Sequence, residues 1–178
     1  MGGQWGDEGK GKLADVLAKG YDIVGRFNGG ANAGHTVVVG DKKFAFHLLP
    51  CGLVYPHTQN ILGNGTVIHL GDLFDELAPL DAEGIDWRGR LHLSDRATLL
   101  FDFHKEVDGV LEARRAAVAA SGKGIGTTKR GIGPGYASKV TRNAVRVGHM
   151  KNRAVLHERL TQLVEDTRFM YDIDIDLQ

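Results

Sequence analysis

Apolar residues recur along the chain with two periods, and the alternation between them sets the expected architecture. In GKLADVLAKG (11–20), Leu13, Val16 and Leu17 fall on one face of a 3.6-residue repeat, predicting a helix that closes at Gly20. YDIVGRF (21–27) reads as a short buried strand, followed by the polar loop NGGANAGH. The runs TVVV and FAFHLL flank Gly40-Asp41-Lys42 and predict a hairpin. NILGNGTVIHL (60–70) reads as a strand candidate, with the sequon Asn64-Gly65-Thr66 as a turn. DLFDELAPL (72–80) predicts a short helix with Pro79 near its end, and RLHLS (90–94) another strand. From Leu99 to about Ala120 the sequence is helical, with Gly109 the main breaker. GKGIGTTKRGIGPGY (122–136) reads as a glycine-rich loop, and RAVLHERLTQLVEDTRFMYD (153–172) as an amphipathic helix. Strands alternating with helices predict an α/β fold, a mostly parallel sheet with flanking helices. Nothing in the composition marks an internal domain boundary.

Composition narrows this further. Lys+Arg and Asp+Glu number 22 each, so the formal net charge is zero, which argues against bulk affinity for nucleic acid or an anionic membrane. With 42% hydrophobic and 25% charged residues the chain is ordinary globular protein, and it has no apolar run approaching ~18 residues. The single cysteine, Cys51, precludes an intrachain disulfide and suits a reducing, cytoplasmic setting. Glycine stands out. Of 25 glycines, eleven fall in the first 40 residues and six more between Gly122 and Gly135. Such clusters point to loops where backbone approaches a ligand.

Gly6 to Leu13, GDEGKGKL, fits the phosphate-loop spacing up to its last position. Glycines let successive amides curl toward one point, the helix that follows adds its positive end, and a lysine neutralises phosphate charge. Leu13 departs from the pattern, standing where such a loop has Ser or Thr to ligate Mg²⁺, and the chain offers no strand ahead of Gly6. Asp7 and Glu8 inside the loop would repel a phosphate unless one binds metal or takes a proton; both also suit a helix N-terminus as simple solvated acids. In the second loop, Asn28, Asn32, His35 and Thr36 can read a base edge or steady phosphate charge, although a lone histidine is commonly a structural hydrogen-bond partner. The remaining histidines lack metal-ligand spacing. Lys123, Lys129, Arg130, Lys139, Arg142 and Arg146 surround the last glycine cluster as a basic, flexible loop, either a solvated face or a binder of a nucleotide monophosphate.

Taken together, QWGDEGKGK (4–12), GGANAGHT (29–36), FHLLPCG (46–52), LGNG (62–65) and GTTKRGIGP (126–134) resemble the adenylosuccinate synthetase family, in the same order and over almost the whole chain. The resemblance implies a GTP-dependent ligase with Mg²⁺ as cofactor. In that family GTP phosphorylates the 6-oxygen of IMP, and L-aspartate displaces the phosphate to give adenylosuccinate, a step of AMP biosynthesis. By this resemblance Asp7 is the catalytic base on N1 of IMP and His35 the catalytic acid. Gly6, Asp7, Glu8, Gly9, Lys10, Gly11, Lys12, Gly34, His35 and Thr36 match positions that bind GTP. Asp7, Glu8, Gly9, Lys10, Asn32, Ala33, Gly34, His35, Thr128 and Arg142 match positions that bind IMP. Asp7 and the Gly34 carbonyl match the Mg²⁺ ligands, which makes the missing hydroxyl at Leu13 dispensable. Arg142 matches an arginine reaching the neighbouring subunit's IMP, implying a cytoplasmic homodimer.

The family is more than twice this length, so residues 1–178 are expected to be the N-terminal part of its domain, an incomplete domain lacking the first strand and the C-terminal portion. The chain alone is then expected to be inactive. The alternatives are a non-catalytic nucleotide-binding module or interaction fragment, and a generic phosphate-loop NTPase.

Overall fold

The computed structural model describes residues 10–39, 41–119 and 126–175. Helix α1 (Lys10–Ala18) leads into β1 (Ile23–Gly29), and β2 (His35–Val39) pairs antiparallel with β3 (Lys42–Phe46) in the expected hairpin. A 3₁₀ turn at Cys51–Val54 precedes β4 (Gln59–His69) and α2 (Leu70–Ala82). Short strands β5 (Leu91–Leu93) and β6 (Thr98–Leu100) are followed by α3 (Asp102–Val118), α4 (Ile132–Thr141) and α5 (Arg153–Tyr171). Strand β4 is the axis: β1 pairs with it on one side, β5 with residues 60–62 and β6 with residues 67–69, all in parallel. The α/β reading with a parallel sheet and flanking helices therefore holds.

The main core lies between β4, α2 and the hairpin. Leu73, Leu77 and Leu80 share one face of α2 and pack against Leu62, Ile68, Val37, Phe46, Leu48 and Leu49, all buried. Each such side chain contributes about 1.5–3 kcal/mol by leaving water. A smaller cluster joins Leu99 and Phe103 to Val145, Leu163 and Val164 of the α5 side. Cys51 is buried and unpaired.

Five expectations are corrected. The apolar stripe of α1 faces outward: Leu13 and Val16 are 63% and 73% exposed. The helix instead docks through Gly11, Asp15 and Ala18, an i, i+4, i+7 stripe of smaller residues, with the Tyr55 hydroxyl 3.3 Å from the Asp15 carboxylate. Strand β1 is not buried either, since Ile23 and Phe27 stand exposed on one sheet face that no described helix covers. Asn64-Gly65-Thr66 lies inside β4 rather than in a turn; a Cβ on Gly65 would come 2.1 Å from the Phe27 carbonyl oxygen, so glycine here serves close strand approach. Leu99 and Leu100, assigned to the start of a helix, belong with Thr98 to strand β6, because these residues complete the ladder beside Val67–His69. Finally, the segment expected to be loop through Tyr136 is helical from Ile132. Pro134 sits in the first turn, where no amide is needed, and Gly131 enters at φ 70°. Lys139 and Arg142 accordingly belong to a helix and its C-terminal cap, not to a flexible loop.

Candidate functional site

In a parallel sheet the crevice beyond the strand C-termini is the natural ligand position. Three predicted segments meet there. Strand β1 ends at Gly29, whose amide donates to the Tyr136 hydroxyl at 2.7 Å, while that hydroxyl donates to the Gly65 carbonyl at 2.7 Å. One tyrosine of α4 thus ties the end of β1 to β4. Gly30 packs so tightly under α4 that a Cβ there would lie 2.6 Å from Ile132 Cδ1 and 2.8 Å from the Val67 carbonyl. The turn 29–34 and the second glycine segment are neighbours as a result. Gly11, in the first turn of α1, comes so close to His35 that a Cβ would sit 2.5 Å from the His35 Cβ.

His35 opens β2, paired with Phe46 and edge-on to its ring at 6.0 Å. Its Nε2 is buried with no partner among the described residues. Burial, and next the charge of Arg26, lower its pKa below the ordinary 6.5, so the imidazole is neutral near pH 7. A neutral ring keeps one N–H donor and one acceptor, the inventory needed to hold or pass a proton. Asn32 is spent partly within its own turn, its Oδ1 accepting the Gly30 amide at 3.2 Å. The Ala33 carbonyl is bonded to His47 Nδ1 at 2.8 Å. The Gly34 carbonyl has no hydrogen-bond partner among the described residues, leaving a hard oxygen donor of the kind Mg²⁺ takes.

The second segment is anchored from α3. Asp108, itself buried, accepts the Thr127 hydroxyl at 2.8 Å and the Gly131 amide at 3.2 Å, and Glu112 accepts the Gly126 amide at 2.5 Å. With Thr127 committed to Asp108, Thr128 is left exposed. Arg142 stands apart, exposed in a left-handed C-cap (φ 67°) at the far end of α4, about 15 Å along the helix from Gly131. Lys12 lies on α1 and Thr36 on β2, both exposed, Lys10 opens α1, and Gly6, Asp7, Glu8 and Gly9 lie outside the described residues. The described residues contain no cluster of three metal-ligating side chains.

Sequence reasoning missed the residues that hold this arrangement: Tyr136, Asp108, Glu76 and Arg26. Only Arg26 left a signal, a charged residue in the middle of an apolar strand.

The profile of the adenylosuccinate synthetase family matches residues 1–177, and the chain belongs to that family. It is 50% identical over 183 residues to the chloroplastic adenylosuccinate synthetase of Ostreococcus lucimarinus, covering 99% of this chain and 42% of that protein. The adenylosuccinate synthetase of Plasmodium knowlesi is 49% identical over 173 residues, covering 97% of this chain and 38% of its own length. The fully ligated adenylosuccinate synthetase structure from Plasmodium falciparum superimposes with a TM-score of 0.87 at 45% identity, covering 99% of this chain and 40% of that one. The chain therefore spans about two fifths of the length of the relatives it matches.

Proposed function

We propose that these residues form the IMP and GTP-phosphate site of a ligase that joins IMP to L-aspartate with GTP, forming adenylosuccinate by way of 6-phosphoryl-IMP. The meeting of three segments at the sheet's C-terminal end carries this reading: Gly11 of α1 against His35, and Gly29–Gly30 under Tyr136 and Ile132. Residues 1–178 are, on this reading, the N-terminal part of the synthetase domain.

Asp7 takes the N1 proton of IMP, which makes the 6-oxygen a better nucleophile. Neutral His35 donates to the phosphoryl oxygens as the group transfers, work that is mainly positioning and charge stabilisation. Asn32, Ala33, Gly34 and Thr128 hold IMP together with Glu8, Gly9 and Lys10. The loop from Gly6 to Lys12, with Gly34, His35 and Thr36, takes the GTP phosphates. Asp7 and the Gly34 carbonyl would hold Mg²⁺, which when bound neutralises phosphate charge. Arg142, exposed on α4, reaches the IMP of a second copy in a homodimer. A cytoplasmic location fits the single buried thiol, whereas the Ostreococcus relative is named as chloroplastic; cell fractionation separates the two.

The test has two arms. Calorimetry of the 178-residue chain with IMP and with GTP should detect nucleotide binding, and a phosphate-release assay with aspartate should detect no turnover. In the full-length enzyme, Asp7→Asn and His35→Asn should each lower kcat by about 10²–10⁴-fold; near-normal turnover in either variant would remove that residue from its role. Phosphate release by the 178-residue chain would show that the site is complete within it.

A further inference from the structure

Arg26, in the middle of β1, makes its bonds to backbone alone among the described residues. Its Nη1 donates to the His47 carbonyl at 2.5 Å and the Leu48 carbonyl at 3.1 Å. Nη2 donates to the Gly30 carbonyl at 2.5 Å, and Nε to the Asn28 carbonyl at 3.3 Å. No carboxylate forms an ion pair with it among the described residues. One planar cation therefore joins two stretches of chain, the turn after β1 and the segment after β3.

Glu76 of α2 grips the second stretch from its other side. Its carboxylate accepts the amides of His47 at 3.0 Å, Leu48 at 2.9 Å and Leu49 at 3.1 Å. The segment 47–49 is thus held by its carbonyls to a cation and by its amides to an anion. His47 passes the restraint on, since its ring bonds the Ala33 carbonyl within the site turn. Carbonyls at 28, 30 and 33 are all occupied, whereas the amides of residues 31–34 have no acceptor among the described residues.

A half-buried guanidinium that bonds carbonyls in place of a paired carboxylate, with Glu76 near enough only to favour its charge, is an expensive way to hold backbone unless the fork geometry itself is required. An ammonium group is a single point charge on a shorter side chain and lacks the rigid fork that spreads these bonds over both stretches. We propose that Arg26, braced by Glu76 through residues 47–49, is a positioning residue for the nucleotide-binding turn 29–34. It fixes Asn32, Ala33 and Gly34 toward the nucleotide without touching it. This rests on the reading of that turn as an IMP site.

The deciding variant is Arg26→Lys in the 178-residue chain, which keeps the charge and loses the fork. IMP affinity by calorimetry should fall about tenfold or more. Amide resonances of residues 29–34 should move, while those of the ladder between residues 60–62 and 91–93 stay in place. In Arg26→Ala, added methylguanidinium should restore part of the lost affinity, a recovery that general loosening of the fold would not give. If Arg26→Lys does not fold, Glu76→Gln serves with the same readouts, expected to weaken IMP binding by about threefold. Unchanged IMP affinity, or unmoved amides in the turn, overturns the proposal. If the unsubstituted chain binds no IMP, the nucleotide reading fails, and the turn amides alone then decide whether Arg26 positions them.

Discussion

In the turn 29–34 the backbone groups with charged or imidazole tethers are carbonyls: Arg26 takes that of Gly30 and His47 that of Ala33, whereas the Gly29 and Gly30 amides go to the uncharged Tyr136 hydroxyl and Asn32 Oδ1. In the segment 126–131 they are amides: Glu112 takes that of Gly126 and Asp108 that of Gly131. The two stretches share a glycine-rich composition and are neighbours beneath α4, yet they are fixed by charges of opposite sign. What remains differs accordingly. The first keeps the amides of residues 31–34 without an acceptor among the described residues, and the second carries a hydroxyl and cations on Thr128, Lys129 and Arg130. Glycine content marks a place where backbone is close to something; the flanking charged residue decides which backbone group is left to bind.

The sharpest way to break the comparison is to add a methyl group to one glycine of each. Gly131 combines φ 70° with a Cβ position 2.8 Å from the His104 carbonyl carbon and 2.9 Å from the Lys105 nitrogen. Backbone cannot yield there, so Gly131→Ala should destabilise by about 2–4 kcal/mol. Gly30 lacks the positive φ, and two of its three close neighbours are side-chain ends on Ile132 and Val67. Gly30→Ala should therefore cost less, about 1–3 kcal/mol. Urea unfolding of the two variants checks the order. Equal losses would mean that the left-handed backbone at Gly131 contributes nothing.

Those contacts show where sequence reading succeeds and where it stops. Hairpin β2–β3, strand β4 and helix α5 were legible because each carries its own period or turn signal. The family was legible by resemblance, since the motif order survives without knowledge of the fold. Strand β6 was not, because three apolar residues ahead of a helical run have no period of their own and become a strand only beside Val67–His69. The outward stripe of α1 and the exposed face of β1 were misjudged because a pattern states which side is apolar, not whether a partner covers it. Arg26, Glu76 and Asp108 act through backbone 20 or more residues away, and local spacing carries no trace of such bonds.

The second segment also packs against a buried histidine of α3. His104, buried and stacked on Phe103 at 4.4 Å, accepts the Phe101 amide through Nδ1, and burial pulls its pKa down to about 4. The folded state disfavours the imidazolium, whereas the unfolded chain protonates near 6.5. Stability is therefore unaffected above about pH 6.5 and falls as pH drops toward 4, by roughly 3 kcal/mol in all. Denaturant titrations from pH 7 to 4 should show a slope that His104→Leu flattens. An unchanged slope would mean the histidine is solvated and lends nothing to the second segment.

A narrower break removes the anion from one segment only. Asp108→Ala strands the Gly131 amide and the Thr127 hydroxyl, a loss of about 2 kcal/mol. Hydrogen exchange should quicken at Gly131 and stay unchanged across 29–34, where the tethers are Arg26 and His47. Quickening in both places would make the two segments one cooperative unit.

The smallest expected effect has the opposite sign. Gly133 lies in the first turn of α4 without a positive φ, and a Cβ there would meet nothing within 4 Å. Two residues beyond the second segment, it carries neither requirement that Gly131 carries. Gly133→Ala should stabilise the protein by about 0.5 kcal/mol, because alanine loses less backbone freedom on entering a helix. The thermal midpoint should rise by a degree or two, and the Gly131 amide should keep its exchange rate. A fall in midpoint instead would mean that α4 needs backbone freedom at Gly133. The contrast between the segments would then lie in the flexibility of the helix start as well as in the charges that hold the loops.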